Sequence, residues 1–207
     1  MIIISYFTRN TPYEEVMNFK LLPSLKKWNL KYDIEAIEDK GSWQANTHLK
    51  ADFIKRMLLK HKQAVIFLDA DATIEKFPEL FFRLKHENYD ISYHELDWFK
   101  MWRKQEGNSK REVLSGTLFI NYTENSLKFL DDWIELNKQS IEWEQRNMEK
   151  VLEKWKDKLK IYPLPYAYIT VMYRNNQLPL HMIKKEDIFI LHWQVSRLYR
   201  NWHKRRK

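Results

Sequence analysis

Val65-Ile66-Phe67-Leu68-Asp69-Ala70-Asp71-Ala72-Thr73-Ile74 is the stretch on which the reading of this chain turns. Its first four residues are all apolar, with β-branched and aromatic types among them. They predict a strand buried on both faces, as in a sheet covered by helices. Two carboxylates, one residue apart, follow at the carboxyl end, where ligands sit in open α/β sheets. Aspartate is a poor strand former and costly to bury unpaired, so Asp69 and Asp71 imply a compensating cation. Hard oxygen donors suit Mg²⁺ or Mn²⁺, and such an ion would in turn bind a diphosphate. The plainer reading is that the two aspartates cap the next turn. It accounts better for a lone aspartate than for a pair closing a fully apolar strand.

The rest of the composition narrows the choices. At 207 residues, 44% hydrophobic and 15% aromatic, the chain is long and apolar enough for one globular domain over 1–207. It has no cysteine, which excludes disulfides, thiolate catalysis and Cys-ligated zinc. Only Gly41, Gly107 and Gly116 are glycines, and none stands in a G-x-G-x-x-G or G-x-x-x-x-G-K pattern. Any phosphate must therefore be held by a metal and side chains. Met1-Ile2-Ile3-Ile4 is too short for a signal peptide or a membrane span and reads as a first strand, so a cytoplasmic protein is expected. The net charge of +8 is regional: residues 1–96 balance, and the whole excess falls in 97–207. It gathers in Trp98–Arg111 and in a basic C-terminal tail, 197–207, and regional charge points to an anionic partner.

Taken in order, Ile2–Phe7 predicts a strand, and Thr11-Pro12-Tyr13-Glu14 supplies an N-cap, a first-turn proline and a capping-box glutamate. Pro23 should kink or split the helix that follows. Tyr32–Glu38 predicts a second strand, and Glu38–Trp43 a polar turn. Asn46–His61 carries Leu49, Phe53, Ile54, Met57 and Leu58 at the spacing of one helical face. After the motif strand come a short helix from Pro78 to about Lys85 and a strand at Asp90–His94. This alternation predicts an α/β fold with a central, mostly parallel sheet flanked by helices. Asp97–Glu112, with alternating tryptophans and bases and Gly107-Asn108-Ser109 at its middle, predicts a long functional loop. Val113–Asn121 predicts a strand with Ser115-Gly116-Thr117 inside it, and a glycine there marks a bulge or a close approach to the backbone. Helices at Ser126–Asn137 and Ile141–Lys156, an irregular Ile161–Tyr173 and a strand at Ile188–Leu191 complete the chain.

A buried strand ending in Asp-x-Asp, third in a one-domain α/β chain that starts with a strand, resembles the GT-A-type glycosyltransferases. More narrowly it is similar to the nucleotide-diphospho-sugar transferases. Lys50 on the preceding helix, the Ser115-Gly116-Thr117 strand and His192 in Ile190-Leu191-His192-Trp193 carry the likeness further. The fuller H-x-x-G-x-K-P-W pattern of some retaining families is absent, so the resemblance does not carry a donor identity. It implies a GT-A-like (Rossmann-like) fold, a Mn²⁺ or Mg²⁺ site of Asp69, Asp71 and His192, and diphosphate contacts from Gln194, Ser196 and Arg197. It also implies sugar contacts from Ser115, Gly116 and Thr117. The nucleotide would lie over the first strands with Tyr6, Thr8 and Arg9, and Lys50 would reach the phosphates. Glu144-Gln145 stands nearest to an Asp-Gln pair close to the reacting sugar, with Glu in place of Asp.

Each residue also has a plain structural reading: Lys50 as a solvated helix lysine, Tyr6 as a core aromatic, His192 as a satisfied strand-end histidine, Glu144 as a helix-dipole partner. The expected partners are a nucleotide-sugar donor and an acceptor that is a glycan, a lipid-linked glycan, or nucleic acid carrying a hydroxylated base. The last rests on aromatics between bases in the two basic runs. Two rivals stand beside this reading. Asp69-Ala70-Asp71-Ala72-Thr73 also fits the D-x-D-x-T pattern resembling haloacid-dehalogenase-type phosphatases, with Asp69 as nucleophile, although their motif sits on the first strand. A non-catalytic nucleic-acid-binding protein would explain the basic half and leave the aspartates unexplained.

Overall fold

The computed structural model describes residues 1–102, 111–172 and 177–199. In chain order they form β1 (Ile2–Thr8), α1 (Pro12–Phe19), α2 (Leu21–Lys27), β2 (Tyr32–Ile37), α3 (Trp43–His48) and α4 (Lys50–His61). Next come β3 (Val65–Leu68), β4 (Ala72–Ile74), α5 (Leu80–His86), β5 (Ile91–Asp97), α6 (Trp98–Trp102) and β6 (Arg111–Ile120). The chain closes with α7 (Glu124–Gln139), α8 (Glu144–Trp155), β7 (Ile161–Pro163), β8 (Thr170–Val171), β9 (Ile190–His192) and α9 (Ser196–Tyr199).

The main sheet has the order β2-β1-β3-β6-β5-β7, and a small sheet the order β4-β9-β8. β1 is parallel to β2 and β3, and β7 is parallel to β5. β6 pairs antiparallel with both β3 and β5, so it alone runs against the other five. The mostly parallel α/β sheet read from the sequence is what forms.

The motif strand is apolar throughout because alternate side chains serve two cores. Val65 and Phe67 pack with Ile4 against Phe53 and Met57 of α4, Phe129 and Trp133 of α7, and Met148 of α8. Ile66 and Leu68 pack with Ile3 against Met17 of α1, Leu21 and Leu25 of α2, and Phe81 of α5. Trp133 is wholly buried, and its indole N–H donates to the carbonyl of Glu144 at 2.8 Å. Its truncation would cost about 3–5 kcal/mol and loosen the helix start that carries Glu144.

Several boundaries differ from expectation for identifiable reasons. The break between α1 and α2 falls at Lys20, ahead of Pro23, because a proline ring clashes with the carbonyl four residues back, here Phe19. Thr11 caps α1 by accepting from Tyr13 N–H, but Glu14 accepts from Asn10 N–H. The helix expected from Asn46 starts at Trp43, capped by Ser42, and restarts at Lys50. Asp97–Glu112 is not one loop. Asp97 Oδ1 accepts from the N–H of Phe99 at 2.9 Å and starts α6, and β6 begins at Arg111; Gly107-Asn108-Ser109 lies outside the described residues. β4 and β8, too short to leave a periodic pattern, were not expected as strands.

Candidate active site

At the end of β3 the Asp69 N–H donates to the carbonyl of Gly116 on β6 at 2.9 Å. A tight turn follows, closed by Ala72 N–H to the Asp69 carbonyl at 3.0 Å, and leads into β4. β4 pairs antiparallel with β9 in the register Ala72↔His192. That register carries a histidine 121 positions along the chain from Asp71 (192 − 71) to the motif. One ligand atom from each of Asp69, Asp71 and His192 lies within 4.8 Å of the others. His192 is 2% exposed, its Nε2 stands 2.8 Å from the Thr117 hydroxyl, and its Nδ1 is 3.6 Å from Asp71 Oδ1. The chain turns back at Gln194, φ 55°, so that Val195 N–H donates to Asp71 Oδ2 at 2.8 Å.

The residues present suit a divalent cation. Two carboxylates and an imidazole are a hard, borderline donor set for Mn²⁺ or Mg²⁺, and the Thr117 hydroxyl on the far ring nitrogen is the outer partner that fixes a ligating histidine. Gly116 supplies the space: a Cβ there would stand 2.9 Å from His192 Cε1 and 3.1 Å from both His192 Nδ1 and Asp69 Oδ2. Enclosure raises the Asp69 carboxyl above the usual carboxylate range, with Lys50 opposing and Asp71 adding to the rise. A divalent ion would reverse that balance.

Lys50 opens α4, is 3% exposed, and is committed inward. Its ammonium lies 2.8 Å from Glu144 Oε1, 3.1 Å from Asp69 Oδ1 and 2.9 Å from Ser115 Oγ. Burial alone would lower its pKa, but Asp69 and Glu144 outweigh that and raise it. For Glu144, burial raises the carboxyl while Lys50 and the Ser115 hydroxyl pull it below the usual range. Gln145 accepts from Ser115 N–H at 3.2 Å and donates to Glu112 Oε1 at 2.7 Å.

These groups line one cavity of about 440 Å³. Tyr6 and Thr8 from β1 reach it, as do Lys50, Asp69, Asp71, Ser115, Gly116, Glu144, Gln145, His192, Gln194, Ser196 and Arg197. The Tyr6 hydroxyl donates to the Asn46 carbonyl at 3.0 Å, and burial raises its pKa. Two of the expected residues stand outside that lining. Arg9 is at the surface, 3.8 Å from Glu38. Thr117 is wholly buried and faces His192. Lys50 is in the lining but is held between Asp69 and Glu144, so it is not a solvated helix lysine.

Sequence reasoning missed the aromatic walls and one carboxylate. Trp43 and Trp143 meet edge to face at 6.0 Å, Trp98 and Trp102 stack at 5.2 Å, and all four line the cavity together with Glu112. Tryptophan spacing around Trp98 was the available signal, absorbed there into a loop. The phosphatase rival finds no support in placement. The acidic pair Asp131-Asp132 lies in α7, where Asp131 pairs with Lys55 and Asp132 accepts from Trp155 Nε1 at 2.7 Å.

Comparison with known proteins bears on the fold and the family. The chain resembles, at 15% identity and a TM-score of 0.65, a glycosyltransferase involved in glycosylation of the major capsid of PBCV-1, over 100% of this chain and 98% of that one. Mouse xyloside xylosyltransferase 1 aligns at 10% identity and TM-score 0.56, over 95% and 99% of the two chains. The galactosyltransferase LgtC, solved with donor and acceptor sugar analogues, aligns at 9% and 0.52, over 94% and 87%. At such identities the likeness shows the fold alone. No curated protein matches the chain by sequence. None of these three relatives is described as acting on nucleic acid, and the basic runs fall largely at 103–110 and 200–207, outside the described residues. A family model does match, that of the nucleotide-diphospho-sugar transferases, over residues 24–202. With most of the chain covered by that match, and a fold shared with glycosyltransferases, the chain belongs to the nucleotide-diphospho-sugar transferase family.

Proposed function

We propose that the protein is a divalent-metal-dependent glycosyltransferase that moves a sugar from a nucleoside-diphosphate sugar to a hydroxyl of a glycan acceptor. The observation that carries this is the convergence of Asp69, Asp71 and His192 within 4.8 Å on the wall of the 440 Å³ cavity of a family member. In the reaction the acceptor oxygen bonds to the anomeric carbon, the bond from that carbon to the diphosphate breaks with its electron pair on the diphosphate oxygen, and the hydroxyl proton passes to solvent. Bound by those three residues, Mn²⁺ or Mg²⁺ supplies charge neutralisation for the leaving diphosphate.

The protein's own groups do the remainder. Tyr6 and Thr8 at the carboxyl end of β1 hold the nucleoside, and Gln194, Ser196 and Arg197 at the exit of β9 hold diphosphate oxygens. Arginine suits that task through its fork of N–H donors. Ser115 and Gly116 face the transferred sugar. Glu144, kept ionised by Lys50, and Gln145, fixed between Ser115 and Glu112, form the wall beside the reacting carbon. Among the described residues no helix is long and apolar enough to cross a membrane. A cytoplasmic setting suits a chain without cysteine.

Thermal-shift titration with nucleoside diphosphates, with and without Mn²⁺, tests the reading. One nucleotide should raise the melting temperature only with the metal, and Asp71→Asn should abolish that shift while leaving the metal-free melting temperature in place. Full sugar transfer by Asp71→Asn, or by the native protein in excess chelator, would overturn it.

A further inference from the structure

We propose that Trp98, Trp102 and Glu112 form the acceptor subsite: a pyranose ring of the acceptor lies on the paired indoles, and one of its hydroxyls donates to the Glu112 carboxylate. This rests on the transferase reading above and adds to it the chemical class and the place of the second substrate.

Glu112 is the observation that starts the argument. It is 9% exposed, lines the cavity, and has no ion-pair partner among the described residues. Its Oε1 accepts from Gln145 Nε2 at 2.7 Å and its Oε2 accepts from the Trp98 indole N–H. Arg146 acts on it only from beyond ion-pair distance, and a buried carboxylate with no cation in contact among the described residues needs hydrogen bonds from elsewhere. Ionised, it offers about four acceptor positions, and two neutral N–H donors fill half of them. A donor entering from the cavity completes the set, and a sugar hydroxyl is such a donor.

Trp98 and Trp102, one helical turn apart on α6, stack with centroids 5.2 Å apart and planes 29° from parallel. Both are half-buried and line the same cavity as Glu112. A pyranose has one face of C–H groups and a rim of hydroxyls. Flat indoles beside a carboxylate match both surfaces, and such apolar walls with few fixed polar groups are how small-ligand sites are built. Of the other aromatic pair, Trp43 shares α3 with Asn46, whose carbonyl accepts from Tyr6 of β1, on the side to which the transferase reading assigns the nucleoside, and it meets Trp143 edge to face. The Trp98 end is therefore left for the second substrate. Gln145 joins the two regions, bonded to Glu112 on one side and to Ser115 of the Lys50–Asp69 network on the other. The competing role is a latch, in which Trp98 and Glu112 merely anchor α6 to β6.

The test uses the full chain saturated with Mn²⁺ and whichever nucleoside diphosphate it binds, titrated with methyl glucopyranoside, galactopyranoside, mannopyranoside and xylopyranoside. The readout is the indole N–H resonance of Trp98, assigned by its disappearance in Trp98→Phe. At least one pyranoside should shift it saturably. Glu112→Gln and Trp102→Ala should each weaken that binding about tenfold or more, the scale of a hydrogen bond to a charged group, with nucleotide affinity unchanged. If Glu112→Gln melts the protein, Trp102→Ala carries the test alone. The inference is overturned if no pyranoside of the four shifts Trp98, or if the shift survives Trp102→Ala with equal affinity, as a latch predicts. Absence of nucleotide binding beside an intact pyranoside shift would strike the transferase reading and not the subsite.

Discussion

Lys50→Met removes the ammonium that faces Glu144 at 2.8 Å and Asp69 at 3.1 Å while keeping most of the stem's volume. The Glu144 side chain is 5% exposed and would be stranded; the Asp69 side chain, 40% exposed, is open to the cavity. Deleting one partner of a buried pair costs about 3–5 kcal/mol, because the other charge stays buried and unpaired. Ser115 Oγ still donates to Glu144 at 2.7 Å, which holds the expected cost near the lower end, about 3 kcal/mol. Lys50→Met/Glu144→Gln leaves no stranded charge at Glu144 and should recover about half of that loss, the signature of direct coupling. The pH dependence separates this from a packing effect. In the native protein the folded pKa of Glu144 is lowered, so its contribution is complete above about pH 4.3 and fades as pH falls through the folded value. Without Lys50, burial is opposed only by the Ser115 hydroxyl and the Gln145 backbone N–H, so that pKa rises relative to native, and as pH falls towards the carboxylate range the variant should lose less stability than native. Urea unfolding at several pH values reads both quantities. A cost below about 1 kcal/mol, or a double variant no more stable than the single one, would refute the reasoning.

Two further substitutions probe the metal cluster. Gly116→Ala brings a Cβ to 2.9 Å from a histidine ring that is 2% exposed and held by Thr117, so it should cost about 1–3 kcal/mol and lower Mn²⁺ affinity about 10–100-fold. Calorimetric titration with Mn²⁺ checks this, and native affinity in the variant would show that the close approach is not needed. Thr117→Val keeps shape and removes the hydroxyl 2.8 Å from His192 Nε2; metal affinity should again fall about 10–100-fold, and unchanged affinity would make that contact merely structural.

What could be read from the sequence is what repeats along it. The motif strand, the first strand and the amphipathic helix before the motif announce themselves by period and composition, and each stands within a few residues of its expected place. The aspartates were legible because their type contradicts the strand that precedes them. Lys50 and Thr117 were found, but their surroundings were not: nothing local says that a lysine at a helix start will be enclosed between two carboxylates. Glu112 was folded into an expected loop because the tryptophans around it break any regular period. The capping aspartate, Asp97, was there to be used, since its side chain starts the helix that presents Trp98 and Trp102.

His192 shows why the rest depends on tertiary structure. Its position was guessed from resemblance, and what delivers it is a three-residue strand whose partner lies far away in sequence. In a ladder of period two, a slip of one residue would turn Leu191 or Trp193 to the motif and point the imidazole away. So short a strand cannot hold its register by ladder bonds alone. Here Glu75 N–H donates to the Phe189 carbonyl at 2.8 Å, Trp193 N–H to the Asp71 carbonyl at 3.2 Å, and the Trp193 indole to the Thr73 hydroxyl at 3.1 Å. Trp28 of the first helical pair closes the far side by donating to the Ile74 carbonyl at 2.9 Å. The bonds from Glu75 and from Trp193 lie on both sides of the Ala72–His192 pair and favour one alignment, and the Trp28 bond fixes β4 itself. The small sheet is therefore a registering device. Its Ala72, Ile74, Val171 and Ile190 are buried in the core, and without that pairing the Asp-x-Asp motif would stand as two carboxylates at the end of a strand, with no histidine brought beside them.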